Sequence, residues 1–280
     1  MDVAPSELQA DASVGWPLAL LSAGLGVSIS WILVRLVLRW MTGTRPGQAP
    51  SPPSLAKLGL LTLGLQLVMM LLMPALLSAF DSRAGGSGRA GIDLSIAATI
   101  TANLTVILIV LPCGRIRSGL ALRQMGLALP SFHGLLLATM LLLAAAPAFY
   151  GASLLNAELV RWLDWETHQA LVKALLEDPA WRDRPAVLAA IILIVPLLEE
   201  ILFRGLIQNA LRVAVGPFAA ILGASLLFAL LHDLQSSLPV FVVGLALGLI
   251  FEKTRSALAS AWAHALFNGL QILLISSDWT

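Results

Sequence analysis

Charged residues are scarce in this sequence, because only 12% of its 280 residues are Asp, Glu, Lys or Arg. Hydrophobic residues make up 58%, and the mean hydropathy is +0.88. A soluble chain of this length could not bury so much apolar surface. The composition therefore predicts a polytopic membrane protein whose first partner is the lipid bilayer. The net charge of +1 and the lack of a basic cluster interleaved with aromatics exclude a nucleic-acid partner.

Cysteine is nearly absent as well. The single Cys113 excludes an internal disulfide and a cysteine cluster for a metal. No His-Glu-x-x-His motif is present either. The first thirteen residues hold three acids and no base, the opposite of the positively charged start of a signal peptide. We therefore expect the first apolar segment to be retained as a membrane span.

Long apolar runs divide the chain into about eight segments, since about 20 apolar residues cross the hydrocarbon core. A backbone in lipid must satisfy its own hydrogen bonds, so each segment is expected to be a helix. The predicted fold class is all-α, a polytopic transmembrane bundle of about eight helices. The predicted spans are 16–38, 58–80, 92–112, 134–154, 187–209, 217–232, 237–252 and 256–275.

Three regions follow from this division. Residues 1–154 form the N-terminal transmembrane helices, with a proline-rich cytoplasmic linker near 46–53. Residues 155–186 form an external amphipathic connection, in which Trp162, Trp165 and Trp181 are of the type found at membrane interfaces. Residues 185–275 form the C-terminal helices.

The distribution of Lys and Arg predicts the orientation. The loops after the first and third spans carry bases and no acid, whereas the connection 155–186 has six acids against four bases. Loops rich in Lys and Arg are cytoplasmic as a rule, so the first two loops are predicted inside and the connection outside. Alternation then places both termini outside. The expected location is the cell membrane, as a multi-pass integral protein.

The fifth predicted span contains three ionisable side chains, Glu199, Glu200 and Arg204. Each costs about 2.5–3.5 kcal/mol at membrane depth on insertion scales, so the group suggests a function. Glu200 and Arg204 are spaced to form an ion pair on one helix face, which leaves Glu199 without a local partner. Pro196 should remove the hydrogen bond to the Ile192 carbonyl and kink the helix there. The alternative is an ion pair of a transporter or channel, or a glutamate doublet in a loop.

Two further polar groups lie in later spans. Phe228 and His232 are one turn apart in the sixth span, and His264 and Asn268 are one turn apart in the eighth. At about 1.5 Å rise per residue, both histidines and Glu199 fall near the middle of a layer of about 30 Å. We therefore expect these side chains to converge.

This set of side chains suits hydrolysis. A carboxylate and an imidazole can together deprotonate a water molecule, and the remaining histidine and Asn268 can donate hydrogen bonds to an oxyanion. Such a site would cleave an amide without a covalent nucleophile. Equally, Glu199, His232 and His264 could hold one divalent metal such as Zn²⁺, with water in the open position.

Three motifs in this order resemble the CPBP intramembrane proteases, the group of CAAX prenyl endopeptidases and bacteriocin-processing or immunity proteins. They cover only the last third of the chain, about 185–274. The motifs are Glu199-Glu200-x-x-x-Arg204 with Phe203 and Gly205 flanking the arginine, Phe228-x-x-x-His232, and His264-x-x-x-Asn268.

The resemblance implies that residues 185–275 are CPBP-type catalytic helices of a CAAX-type endopeptidase. It implies that Glu199 and His232 activate water, that His264 and Asn268 stabilise the oxyanion, and that Glu200 and Arg204 support them. The implied substrate is a peptide or protein, prenylated in the CAAX case. We favour water activation without a metal, since only three candidate ligands are in reach.

Two rival hypotheses remain. In a serine intramembrane protease Ser225 would act with His264, but a packing role for this small residue explains it better. In a non-enzymatic protein, a proton-coupled transporter or an immunity-type protein, the same cluster would carry protons or bind a partner.

Overall fold

The computed structural model describes residues 52–84, 89–164, 181, 183–233 and 236–276. Within these residues the protein is a bundle of seven helices joined by turns. The helices are α1 (Pro52–Ala84), α2 (Arg89–Pro112, followed by a π-helical turn over Cys113–Arg117), α3 (Phe132–Trp162), α4 (Pro185–Val215), α5 (Pro217–Leu230), α6 (Ser237–Thr254) and α7 (Ala257–Ser276).

The predicted all-α membrane bundle is confirmed. Five of the helices are long and apolar enough to cross a bilayer, and α1 and α5 contain shorter apolar stretches. The predicted span 16–38 and most of the proline-rich linker lie outside the described residues, so the count of eight stays a prediction. The far end of that linker is already helical, since α1 begins at Pro52.

Helix α3 extends into the segment 155–186 that the sequence predicts as the external connection, and the external position of that segment stays a prediction. Helix α3 continues to Trp162, beyond the predicted end of the span at residue 154, because no Gly or Pro interrupts the helix there. The exposed Trp162 side chain fits the interfacial role, but Trp181 does not, because it is only 2% exposed and packs near Val187 and Ile191. Residues 165–180, which hold most of the predicted amphipathic segment, lie outside the described residues.

The main hydrophobic core packs α1 and α2 against α4. Leu58, Val106 and Val110 contribute from the first two helices, while Leu202 and Leu206 contribute from α4, and all five are buried. A second core joins α3, α6 and α7 on another side of the bundle. Helix α4 is therefore packed on several sides, which suits a helix that carries buried charges.

The segment that connects α2 to α3, residues 118–131, lies across one end of the bundle. Its backbone carbonyls accept hydrogen bonds from Asn209 Nδ2 at 2.8 Å (Gln124), from the Ala257 amide at 2.9 Å (Gly126) and from Ser256 Oγ at 2.6 Å (Ala128). These donors belong to α4, α7 and the turn before α7. The connecting segment therefore ties three parts of the bundle together.

Gly126 is the point of closest approach between this segment and α4. Its φ of +81° suits glycine, and a Cβ there would lie 2.8 Å from the Cα of Gly205, next to Arg204. A Cβ on Gly205 would in turn lie 3.0 Å from the Met125 carbonyl oxygen. The two glycines therefore permit a backbone contact that any larger residue would push apart.

We expect Gly126→Ala to lower the free energy of unfolding by about 2–3 kcal/mol, because it combines an unfavourable φ with a backbone clash. Thermal melting of the purified protein in detergent measures this. Gly151→Ala is the matched control, since a Cβ at that α3 position meets nothing within 4 Å. Equal melting shifts for the two variants would contradict the account of this contact.

Candidate active site

Helix α4 changes its hydrogen-bond register twice. Two π-helical segments, Ala190–Ile194 and Ile201–Gln208, flank a short α-helical segment, Val195–Glu200. Such segments insert an extra residue into a turn and are frequent at functional sites. They lie directly before and after the residues that the sequence singles out, so the register changes set where the ionisable side chains point.

The predicted pair between Glu200 and Arg204 is confirmed. Glu200 Oε2 lies 3.1 Å from Arg204 Nε, and both side chains are completely buried. The two atoms are at ion-pair distance, although they lack the alignment of a hydrogen bond. The guanidinium also lies over the ring of Phe228, with Cζ 5.0 Å from the ring centroid. Charge and the aromatic face therefore hold Arg204 in the core.

The second carboxylate oxygen of Glu200 contacts α7. Glu200 Oε1 lies 3.1 Å from Nδ1 of His264, which is also buried. Since an ionised carboxylate only accepts, Nδ1 carries the proton and donates it. The sequence predicts the convergence of His264 with the α4 glutamates, but it assigns the histidine contact to Glu199. The hydrogen bond found here involves Glu200.

The ring of Phe228 lies at the centre of the cluster. The ring centroids of His232, His264 and Phe203 lie 4.4, 5.9 and 5.0 Å from its own. Both imidazoles therefore flank one aromatic ring, which the Arg204 guanidinium also faces. The sequence places Phe228 one turn before His232 but does not predict its central position. The aromatic residue one turn before a histidine was the signal that could have indicated it.

His232 lies just past the end of α5, not inside the helix as the predicted span 217–232 implies. The helix ends at Leu230, and the backbone amide of His232 bonds to the Ala229 carbonyl. The Phe228 carbonyl, which that amide would otherwise meet, lies 2.6 Å from His232 Nδ1. A carbonyl only accepts, so Nδ1 donates, and the neutral imidazole has its lone pair on Nε2.

The position of His232 nevertheless stays within membrane depth. Helix α5 has 14 residues, and at about 1.5 Å per residue it is about 21 Å long, short of the roughly 30 Å of a hydrocarbon core. The side chain is half-buried. An imidazole there can act as a base or as a hydrogen-bond acceptor toward a substrate or water.

Asn268 binds to α4 through a backbone carbonyl. Its Nδ2 donates to the Ile191 carbonyl oxygen at 2.9 Å. In the π-helical register the Val195 amide bonds to the Ala190 carbonyl, so the next carbonyl, that of Ile191, faces Pro196, which has no N–H. The hydrogen bond that Pro196 cannot form is therefore the one to the Ile191 carbonyl, not the one to the Ile192 carbonyl. This corrects the expectation from an unbroken α-helix. Asn268 supplies the missing donor and keeps a second amide proton.

Glu199 is half-buried, and within the residues that the structure describes it forms no hydrogen bond or ion pair at contact distance. This carboxylate is therefore less engaged than its neighbour. Its role as the water-activating group stays a prediction.

A metal site is not preformed here. The described residues contain no group of three His, Cys, Asp or Glu side chains placed to hold a metal ion. Glu199, His232 and His264 in this arrangement therefore do not fit a zinc ligand set. The zinc alternative stays a prediction that a chelator can test.

Ser225 is placed for packing. Its side chain is fully buried, and a Cβ added to Gly244 of α6 would lie 3.1 Å from the Ser225 Cβ. Among the described residues Ser225 Oγ has no hydrogen-bond partner, and the hydrogen bond of His264 goes to Glu200. The close contact between α5 and α6 is the role that the small residue serves.

Fold and site together define a polytopic membrane protein with an ionisable cluster inside its helix bundle. Residues 181–270, about a third of the chain, match the family model of type II CAAX prenyl endopeptidase Rce1-like proteins. The segment that contains helices α4 to α7 is therefore similar to the Rce1-like family, which confirms the resemblance to the CPBP proteases. Comparisons with curated proteins and with solved structures found no match.

We expect Glu200→Gln to lower the free energy of unfolding by about 3–5 kcal/mol, because it leaves the completely buried Arg204 without its main counter-charge. Removing both charges in Glu200→Gln/Arg204→Met should cost less than the two single changes together. Thermal melting of the three variants in detergent measures this coupling.

The matched control for this cycle is Glu158→Gln on α3. Glu158 pairs with Arg161 at 2.9 Å, but both side chains are about two-thirds exposed. Loss of an exposed pair should cost less than about 1 kcal/mol. Additive effects of the Glu200 and Arg204 changes would show that the buried pair does not act as a unit.

Proposed function

We propose that this protein is an intramembrane endopeptidase of the CAAX type, which hydrolyses a peptide bond with water activated by Glu199 and His232. The observation that carries the proposal is the buried cluster of Glu200, Arg204 and His264 around Phe228, inside the segment that matches the Rce1-like family. Placing charged side chains at this depth costs free energy, so their presence suggests that they serve a function.

In the proposed first step, the Glu199 carboxylate takes a proton from water, and the hydroxide attacks the carbonyl carbon of the scissile bond. The Nε2 lone pair of His232 accepts a hydrogen bond from the same water. This lone pair is available because Nδ1 carries the proton and donates it to the Phe228 carbonyl. The C–N bond then breaks, and the proton held by Glu199 passes to the departing amine. The products are a carboxylic acid and an amine.

The oxyanion formed in the first step is stabilised by His264 and Asn268. Nδ1 of His264 already donates to Glu200, so donation from Nε2 requires a protonated imidazolium, for which Glu200 supplies the counter-charge. Asn268 donates with the amide proton that is not used on Ile191. Both donors belong to the rigid helix α7, which limits the reorganisation needed during the reaction.

Glu200 and Arg204 are positioning residues in this proposal. Glu200 orients the His264 ring through Nδ1, and Arg204 is the cation that faces Glu200 in the apolar core. The substrate is a peptide or protein, and its CAAX-type, prenylated form is the specific proposal. We also propose that the protein resides in the cell membrane with both termini outside, as the loop charges predict.

We expect Glu199→Gln to reduce cleavage by about 10²–10⁴-fold, the usual contribution of a general base, while the melting temperature stays near that of the wild type. The assay uses purified protein in detergent with CAAX peptides of one sequence, with and without a prenyl group. Glu158→Gln, an exposed glutamate on α3, is the control and should cleave normally.

The same assay separates the alternatives. Loss of cleavage on adding a chelator, restored by Zn²⁺, would support the metal-dependent mechanism. If the wild-type protein cleaves none of the peptides but moves protons across liposomes in response to membrane potential, the protein is a proton-coupled transporter and the proposal fails.

We expect Ser225→Ala to leave cleavage intact, because the hydroxyl is enclosed between α5 and α6 and is not needed in a glutamate mechanism. The comparison is with Glu199→Gln in the same assay. A loss as complete as that of Glu199→Gln would instead support a serine nucleophile.

A further inference from the structure

The end of the bundle that carries the connecting segment 118–131 is strongly basic. At this end lie the starts of α1, α3, α5 and α7 and the ends of α2, α4 and α6, because the helices alternate in direction. Among the residues that the structure describes, this end has seven cationic side chains: Lys57, Arg115, Arg117, Arg123, Arg212, Lys253 and Arg255.

Few negative charges offset these cations. The sequence contains no Asp or Glu from residue 94 to residue 157, which includes the whole connecting segment. Among the acids of the described residues, Glu252 is at this end, and it already pairs with Arg212 at 2.9 Å and Arg255 at 3.3 Å. Burial, and then the neighbouring charge of Arg212, lower the pKa of Arg255, against the opposing effect of Glu252. Residues 113–131 themselves therefore contribute three exposed arginines and no acid to this end of the bundle.

Large apolar side chains are exposed among these arginines. Ile116 lies between Arg115 and Arg117 and is 70% exposed, and Leu122 precedes Arg123 and is 52% exposed. At the far end of the segment, Leu129 and Phe132 are exposed as well. Alternation of exposed apolar and basic residues is the pattern of a surface that inserts into the boundary between headgroups and acyl chains.

The fold brings the three arginines together. The Leu120 amide donates to the Gly114 carbonyl oxygen at 3.0 Å, so the chain turns back at the end of the π-helical turn. Met125 then packs against Gly114, with its Sδ 2.7 Å from a Cβ built at that glycine. Arg115, Arg117 and Arg123 are therefore exposed side chains of one short folded segment, which we call the basic ledge, with Ile116 and Leu122 as its apolar members.

We propose that the basic ledge binds the headgroups of anionic phospholipids in the adjacent leaflet. Guanidinium groups form bidentate hydrogen bonds with phosphate, and each basic residue near an anionic surface attracts it independently. The apolar members enter the acyl boundary and fix the depth of the segment. Because the same segment packs on Gly205 beside Arg204, lipid bound at the ledge stabilises the end of α4 that carries the ion pair.

The test measures thermal melting of the full chain in neutral detergent with added phosphatidylglycerol or phosphatidylcholine. We expect phosphatidylglycerol to raise the melting temperature more than phosphatidylcholine, and salt to reduce the difference. Each Arg→Gln change at 115, 117 and 123 should weaken the apparent affinity for the anionic lipid about fivefold. The triple Gln variant should lose the difference between the two lipids.

Two matched variants control for charge and position. The triple Lys variant at the same positions keeps the charge and should still respond to phosphatidylglycerol. Arg161→Gln removes an exposed arginine at the opposite end of α3 and should respond like the wild type. If the triple Gln variant does not fold, the single change Arg123→Gln, which lies in a turn, serves instead. It should weaken the apparent affinity for the anionic lipid about fivefold.

An undiminished response of the Gln variants would overturn the proposal. Stabilisation by inorganic phosphate equal to that by phosphatidylglycerol would assign the surface to free phosphate instead, and would overturn the lipid assignment. None of these measurements needs peptide cleavage, so their outcome is independent of the proposed protease activity.

Discussion

The ion pair between Glu200 and Arg204 is the constraint on which the rest of the site depends. Both side chains are completely enclosed by an apolar bundle, where an isolated charge would be very costly. Each charge is tolerable only while the other is in place, so the two side chains must stay buried together. His264 contacts the same carboxylate, and this contact fixes α7 relative to α4.

The irregular backbone of α4 around Pro196 provides a hydrogen-bond acceptor for α7. Pro196 and the π-helical segment before it leave the Ile191 carbonyl without its ordinary donor, and Asn268 of α7 fills this need. In a lipid environment an unsatisfied carbonyl is expensive, so the irregularity requires a polar side chain at that place. The irregularity at Pro196 and the Asn268 carboxamide therefore form one contact between α4 and α7.

Much of this arrangement could be predicted from the sequence. Hydropathy predicts the helical bundle and most span limits, four-residue spacing predicts the Glu200–Arg204 pair, and depth along the helices predicts the convergence of His264 with α4. Other features could not be predicted. The π-helical register depends on packing around α4, so the sequence pattern alone assigned the proline effect to Ile192 and the histidine contact to Glu199. The place of His232 beyond α5 depends on where a short helix ends, which apolar runs define poorly.

The hydrogen bond between His232 and the Phe228 carbonyl joins two roles in one side chain. The imidazole takes the place of a backbone amide at the last turn of α5, so it acts as the cap of the helix as well as a candidate base. Fraying of that turn and misalignment of the base are therefore the same event. Under the proposed mechanism, loosening the C-terminus of α5 would therefore also stop catalysis.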